Sequence, residues 1–470
     1  MQKKNIILVV ARGEAVRNFI FSDSLTSLAN QSNLTILSSV QNKEISLIAK
    51  KNRINLVALN EIKENSIVTF FRDIIHTAHY QFLWNTEIKY YWGRHNLRVK
   101  GSLKESVKLY ALRILGIPLS NKTMLRISSK IEKWISWYFR PPNYFENLFR
   151  DLRPDLIFNC SHIHGQLADL PMRIASGMGI STSVFIFSWD NLSSRGRIFP
   201  HYDHYFVWNN DMCDQLLTLY GKSIKTSSIH ITGTPQFDYH FNQKYCLKEK
   251  ELYDKIGLKH DRPYILYTTG MSTDFPEEHK IVEKIIGYIK SKKNQKRVQL
   301  VVRTYAKGTS KEMKRLQKIF KDDSDIYFPP ILWDSKSLMP FFDDLFIYSN
   351  LIRYSAVGIN AASTVSLELM MFDKPVINIG FEPPESSLPY WKRFSRHITH
   401  AHYKPVVKSK SVMVARSVEN LMEMIDFSIK NPKNTKKMQT RFLSKMFDGN
   451  IDGKSGKRIS QILLKIANEQ

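Results

Sequence analysis

Short apolar runs recur along the chain, each closed by a polar or glycine-bearing turn and followed by a longer stretch of helical periodicity. In the first half, residues 5–10, 34–38, 55–59, 156–159, 183–187, 204–208 and 228–232 read as strands. A second series, 264–268, 298–302, 326–328, 356–359 and 376–379, follows a polar, charged stretch at 242–261. Helical patterns lie between its strands, notably at 277–292 and 311–320. Strands alternating with helices predict parallel, doubly wound sheets. The chain therefore reads as α/β, with two Rossmann-like domains at about residues 1–245 and 246–455. A final helix over 456–470 carries apolar residues at Ile459, Ile462, Leu463, Leu464 and Ile466.

One stretch departs from the alternation. Residues 65–150 hold no strand pattern and are rich in aromatics, among them Trp84, Trp92, Trp134 and Trp137. Lys104, Lys108, Lys122, Arg126, Lys130 and Lys133 are interleaved with apolar positions there. Such a helical insertion either packs its aromatics into a core or lies in a membrane interface.

Charge and length narrow the partners. At 470 residues the chain is too long for one ordinary core, so two or three domains are expected. A formal charge of +26 favours polyanions: anionic lipid, phosphorylated small molecules or nucleic acid. Nucleic acid is disfavoured, because no zinc-finger spacing, RNP-like motif or basic-zipper heptad is found. No apolar run reaches the ~18 residues of a membrane span. The apolar start at 6–11 is too short for a signal peptide and reads as a first strand. Three scattered cysteines, Cys160, Cys213 and Cys246, fit a reducing compartment. A cytoplasmic enzyme, peripheral on the inner face of the plasma membrane, is the expectation.

Candidate chemistry concentrates at strand ends. Ala356-Val357-Gly358-Ile359-Asn360 is a buried-strand pattern, and Ala361-Ala362-Ser363-Thr364 then opens a helix. Small residues let a ligand approach the backbone, while Ser363 and Thr364 offer hydroxyls and a positive helix end suits a diphosphate. A serine-capped strand–turn–helix with no ligand explains the same residues. Thr269-Gly270 and Arg303 end two further strands, where ligands of such sheets bind. Arg303 suits neutralisation of a leaving nucleoside diphosphate; a salt bridge is its ordinary alternative.

The run Ser363-Thr364-Val365-Ser366-Leu367-Glu368-Leu369-Met370-Met371-Phe372-Asp373-Lys374-Pro375 resembles the donor segment of GT-B glycosyltransferases. It is also similar to that of CDP-glycerol glycerophosphotransferases and non-hydrolysing UDP-GlcNAc 2-epimerases. The resemblance implies that Asn360, Ser363 and Thr364 hold a diphosphate. It implies that Glu368, seven residues before Pro375, holds the ribose hydroxyls. Many relatives follow the arginine with His-Pro; here Thr304-Tyr305 stands instead.

On the first-domain side, Phe187-Ser188-Trp189-Asp190-Asn191-Leu192-Ser193-Ser194-Arg195 follows a strand. With Thr232-Gly233-Thr234-Pro235 and Asn350-Leu351-Ile352-Arg353-Tyr354, it resembles uncharacterised bacterial surface-polysaccharide transferases over about residues 150–460. Three residues compete as general base for an acceptor hydroxyl: Asp190, His162 in Ser161-His162-Ile163-His164-Gly165, and Glu14 in the first βα loop. Each has a capping or loop-ordering alternative. Trp189, Asn191, Arg195 and Arg17 are the acceptor-side candidates.

The resemblance implies a GT-B fold, two Rossmann-like domains facing across a cleft with a C-terminal crossover helix. It implies sugar transfer from a nucleotide-sugar donor to a glycan or lipid-linked acceptor, for capsule, O-antigen or lipopolysaccharide. The nucleotide sugar is a substrate, with no cofactor and no metal. CDP-glycerol- or ribitol-type polyol-phosphate transfer and UDP-GlcNAc 2-epimerisation are the alternatives. Gly449-Asn450-Ile451-Asp452-Gly453-Lys454-Ser455 imitates a P-loop but has three residues between its glycines where four are needed, and it reads as a turn.

Overall fold

The computed structural model describes residues 2–141, 144–291, 298–306 and 308–470. The chain forms two compact units, one of Met1–Asp238 with Asn450–Gln470, the other of Tyr239–Gly449.

In the first unit, seven strands form one parallel sheet: β1 (Asn5–Val10), β2 (Asn33–Ser38), β3 (Asn55–Ala58), β4 (Leu156–Asn159), β5 (Ser181–Phe185), β6 (His204–Val207) and β7 (Ile229–Ile231). Their order is β3-β2-β1-β4-β5-β6-β7. The central strands are buried along their length, which suits a parallel sheet covered on both faces. Phe19, Phe158, Phe185 and Phe206 pack edge to face in this core, with ring centroids 5.3–5.4 Å apart. Order reverses between β1 and β4, so a ligand site is expected at their carboxyl ends.

Helix α1 (Asp23–Gln31) lies between β1 and β2. Between β3 and β4 come five helices: α2 (Ser66–Leu83), α3 (Thr86–Val99), α4 (Leu103–Gly116), α5 (Lys122–Tyr138) and α6 (Tyr144–Leu152). Four of them begin at a side-chain cap, from Asn65, Asn85, Ser102 and Asn121, each accepting a first-turn N–H. Helix α7 (Gly165–Gly177) follows β4. The insertion is tied to α7 by buried charges. Arg72 of α2 donates to Glu64 (2.7 Å) and Glu132 (3.2 Å), and Arg173 of α7 donates to the same Glu64 (2.8 Å). Asp169 lies beside both arginines; burial pushes its carboxyl up to about 7, against the pull of Arg173 and Arg72.

The second unit has a six-stranded parallel sheet of β8 (Tyr264–Thr268), β9 (Gln299–Arg303), β10 (Ile326–Tyr327), β13 (Val357–Asn360), β14 (Val376–Ile379) and β15 (Met413–Ala415). Between β10 and β13 a short hairpin pairs β11 (Trp333–Asp334) with β12 (Met339–Pro340). The sheet order is β10-β9-β8-β13-β14-β15, and its switch point falls between β8 and β13. Three helices matter below: α8 (Glu278–Lys290), α9 (Phe342–Tyr354) and α10 (Val365–Met370). The apolar pattern did not announce β15 or the hairpin, whose strands have three and two residues. Helix α8 closes at Lys290; Lys292, expected at its end, lies outside the described residues.

The final helix, Ser455–Asn468, packs on α1 and so completes the first unit. Its opening N–H groups are taken by Asp238, which accepts from Ser455 N (3.1 Å) and Gly456 N (2.7 Å). The P-loop-like residues before it form the entering turn.

Candidate functional site

Register aligns a polar row at the carboxyl edge of the second sheet. Arg303, Thr268, Asn360 and Asn378 are neighbours across β9, β8, β13 and β14. Asn360 is fully buried, and its Oδ1 accepts from Ser363 N (3.0 Å), Ser366 Oγ (3.1 Å) and Asn378 Nδ2 (3.1 Å). Tyr403 completes the network, donating within 2.7 Å of Ser366 Oγ and 2.9 Å of Asn378 Oδ1. Asn360 therefore holds the turn from beneath. The turn presents the exposed Ser363 and the half-buried Thr364, with Ala361 and Ala362 buried beneath them. Ala362 has φ +55°, a left-handed conformation that turns successive N–H groups toward one side, as anion-binding nests do.

Glu368 sits one turn into α10, buried, with a full set of partners. It accepts from His240 Nε2 (2.7 Å), Tyr348 Oη (3.1 Å) and Tyr239 Oη (3.3 Å). His240 Nδ1 in turn lies 2.9 Å from Ser349 Oγ. The carboxylate thus pins the chain's entry into this unit, Tyr239-His240, to α9 and α10.

On the other flank of the switch point, Thr269 Oγ1 accepts from Tyr305 N (2.9 Å). Gly270 N donates to the Glu278 carboxylate (3.0 Å), which also accepts from Tyr267 Oη (3.1 Å). A Cβ at Gly270 would stand 2.2 Å from the Phe275 ring, so glycine is required there. Glu278 is buried, and desolvation pushes its carboxyl up to about 8 despite both hydrogen bonds. Arg303 is not open to this edge. Its guanidinium is committed to Asp344 (2.6 and 2.7 Å) and the Pro330 carbonyl (2.8 Å), and the pair is buried. Lys307, in the same loop, lies outside the described residues.

The first unit brings a second set together. A cleft of about 820 Å³ opens among α2, α3, α4 and the loops after β4 and β5. His162 and Arg195 line it, with Arg197, Arg98, Lys108, His76, Asp169 and Tyr80. Phe187 N donates to His162 Nδ1 (3.4 Å), which puts the imidazole proton on Nε2. His76 is held neutral, driven down to about 3 by burial and by Arg72, Arg173 and Arg197. Its ring fills the space above Gly196, where a Cβ would meet Nδ1 at 2.3 Å.

The Trp189-Asp190-Asn191 loop is ordered from within. Asn191 Oδ1 accepts from Ser188 N (2.9 Å), and Asp190 accepts from Ser194 Oγ (3.0 Å) and Asn191 Nδ2 (3.3 Å). Asn85, the cap of α3, donates to the Ser193 carbonyl (2.7 Å), so the insertion steadies this loop. Trp189 and Asn191 are buried and Asp190 is half-buried. Arg195 lies with its guanidinium 5.1 Å from the Tyr91 ring. Glu14, at the carboxyl end of β1, is buried and ion-paired to Arg12 (3.2 Å). Arg17 donates to Asn18 Oδ1 (3.1 Å) on a π-helical turn.

Sequence reasoning passed over Asn378, Ser366 and Tyr403, which set the second unit's turn, and Tyr239, His240 and Tyr348, which hold Glu368. It also passed over Arg197 and His76. Ser366 lies inside the run 363–375, and Tyr403 inside 402–407, a further segment of the resemblance to surface-polysaccharide transferases, but neither carried a role there; for His76 the charged and aromatic spacing at 72–80 was the one signal.

No protein-family model matches the chain, and no curated protein matches its sequence. Its structure is similar to solved ones. A UDP-GlcNAc 2-epimerase from Neisseria meningitidis bound to UDP-GlcNAc aligns over 98% of this chain and 99% of its own (TM-score 0.51, 14% identity). A UDP-GlcNAc 2-epimerase from Methanocaldococcus jannaschii covers 97% and 99% (TM-score 0.52, 12% identity). A glycosyltransferase from Rickettsia africae covers 99% and 100% (TM-score 0.50, 12% identity). The chain thus has the α/β fold of two Rossmann-like sheets that GT-B proteins share.

Proposed function

We propose that this chain is a nucleotide-sugar-dependent glycosyltransferase. The donor nucleotide belongs to the second unit, at the switch point between Thr269-Gly270 and Ala361–Thr364. The small side chains and the left-handed Ala362 suit close approach of a diphosphate to that turn, beside the Ser363 and Thr364 side chains, with Ser363 N itself held by Asn360. The resemblance would give the ribose to Glu368, but its carboxylate is buried and taken by His240, Tyr348 and Tyr239, so ribose recognition is left to groups around it. A solved structure of similar fold, an epimerase bound to UDP-GlcNAc, makes uridine nucleotides the first to test.

One observation favours transfer over epimerisation. Three helices of the first unit's insertion, α2, α3 and α4, wall a polar, basic cleft of about 820 Å³ at the loops after β4 and β5. An epimerase acts on one substrate and needs no such second space; a transferase needs it for the acceptor. In the proposed reaction the acceptor hydroxyl oxygen attacks the anomeric carbon. The bond from that carbon to the phosphate oxygen breaks, and the nucleoside diphosphate leaves. Asp190 takes the hydroxyl proton; His162, with its proton on Nε2, donates a hydrogen bond to the acceptor instead. Arg195, a cation in the wall of that cleft, is the proposed acceptor contact beside them. A surface glycan is the proposed acceptor class.

Thermal shift across UDP, GDP, CDP, CMP and their sugars tests the donor half. The expected outcome is one responsive nucleotide diphosphate, stabilising by about 2.7 kcal/mol at a hundred times its Kd. A response to CMP alone would instead favour polyol-phosphate transfer, and no response would sink the donor site. Transfer without a metal is part of the reading, so turnover is expected to persist in excess EDTA.

A further inference from the structure

Two helices of the insertion reverse the usual amphipathic arrangement. On α5 the buried positions are Leu125, Ser128, Ser129, Glu132 and Ser136, four of the five polar. Its outward positions are Met124, Ile127, Ile131, Trp134 and Tyr138, at alternating spacings of three and four that place them on one stripe. Trp134 and Tyr138 are 66% and 67% exposed and stack with centroids 5.7 Å apart. On α4 the stripe Leu103, Val107, Tyr110 and Ile114 is 57–82% exposed. Both helices pack inward on α2, so these are their outer faces. A water-facing helix gains nothing from such a surface, and contiguous exposed apolar patches mark interaction sites.

The charges beside the stripes say what covers them. Lys122, Arg126, Lys130 and Lys133 on α5 and Lys104 on α4 lie to the side of each stripe, not within it. Glu105 is the single exposed acid of the two helices. We infer that the α4–α5 face docks on the surface of an anionic lipid bilayer. The aliphatic side chains enter the headgroup–acyl boundary by about 5–10 Å, the Trp134 and Tyr138 rings sit at headgroup level, and the cations meet lipid phosphate. A second copy of the chain is a poorer occupant, because a two-fold contact would set these same lysines against one another. No described helix is long and apolar enough to cross a membrane, so the face lies on the bilayer. The inference stands independently of the catalytic reading.

Co-sedimentation of the full chain tests it, with vesicles of phosphatidylcholine alone and with part of that lipid replaced by phosphatidylglycerol. Binding is expected to the anionic vesicles and to weaken steeply with salt. Ile131→Glu with Trp134→Glu should reduce the partition coefficient by about tenfold or more. Lys130→Glu with Lys133→Glu should abolish the preference for phosphatidylglycerol. These side chains are exposed, so melting temperatures should hold. Should a variant unfold, quenching of the wild-type tryptophans by brominated lipid reports insertion directly. Failure of the wild type to sediment with anionic vesicles at low salt overturns the inference. So does equal binding to both vesicle types, or a dimer in sedimentation equilibrium that the Ile131→Glu, Trp134→Glu variant dissolves.

Discussion

Asp344 shows how much of the second unit's edge rests on single buried groups. It accepts from Arg303, Leu332 N (3.0 Å) and Trp333 Nε1 (2.9 Å), so its removal strands a guanidinium and two further donors. Asp344→Ala is expected to destabilise by about 3–5 kcal/mol in urea unfolding, the cost of an uncompensated buried charge. A loss below about 1 kcal/mol would mean that the arginine finds water or another partner. Glu278 makes an opposite prediction. Its carboxyl rises from 4.5 to about 8 on folding, so between those values the folded state binds the extra proton. The stability it contributes is full below about pH 4.5 and is lost as pH rises through 8, by at most about 1.4 kcal/mol per pH unit. Glu278→Gln should flatten that slope in urea unfolding measured across the same range. Neither partner was legible in the sequence. Arg303 was readable as a cation at a strand end, but a buried acid 41 residues away in the chain carries no local signature. Glu368 was singled out by the resemblance of its segment to a donor segment, whereas its three aromatic and histidine partners become neighbours only through the fold.

Elements were far easier to read than partners. Strands such as β1, β4 and β8 are near-continuous apolar runs because both faces of a parallel sheet are covered. The insertion was visible as a gap in that pattern, and its asparagine and serine caps mark where four helices begin. What the pattern could not say is which face of each helix is inward. On α5 composition points the wrong way, since serines and Glu132 go in and Ile131 and Trp134 stay out. Position in the charge network decides it: Glu132 must reach Arg72 and Arg173. Short β15 and the β11–β12 hairpin had too few residues for any periodicity. At this scale Gly196→Ala is the sharpest probe of the cleft. The new methyl would meet the His76 ring, an overpacking that costs about 1–3 kcal/mol and shifts the wall beside Arg195. Transfer should weaken more than donor binding; equal losses would separate His76 from acceptor recognition.

At the scale of the whole molecule, alternation of strands and helices announced two Rossmann-like sheets, and the structure has them. The final helix belongs with the first unit because Asp238 and Thr232 receive its opening turn and Arg458. Fold, however, does not choose among the chemistries that share it; the proposal of transfer over epimerisation rests on the cleft beside the insertion. The central claim is therefore tested most directly by incubating the full chain with UDP-sugars and quantifying UDP release with and without glycan acceptors, alongside the mass of the acceptor. The account predicts release that depends on the acceptor, which gains one sugar, and predicts that Asp190→Asn abolishes transfer while leaving nucleotide binding intact. Conversion of UDP-GlcNAc to its 2-epimer with no acceptor present, and no acceptor-dependent release from any nucleotide sugar, would contradict it.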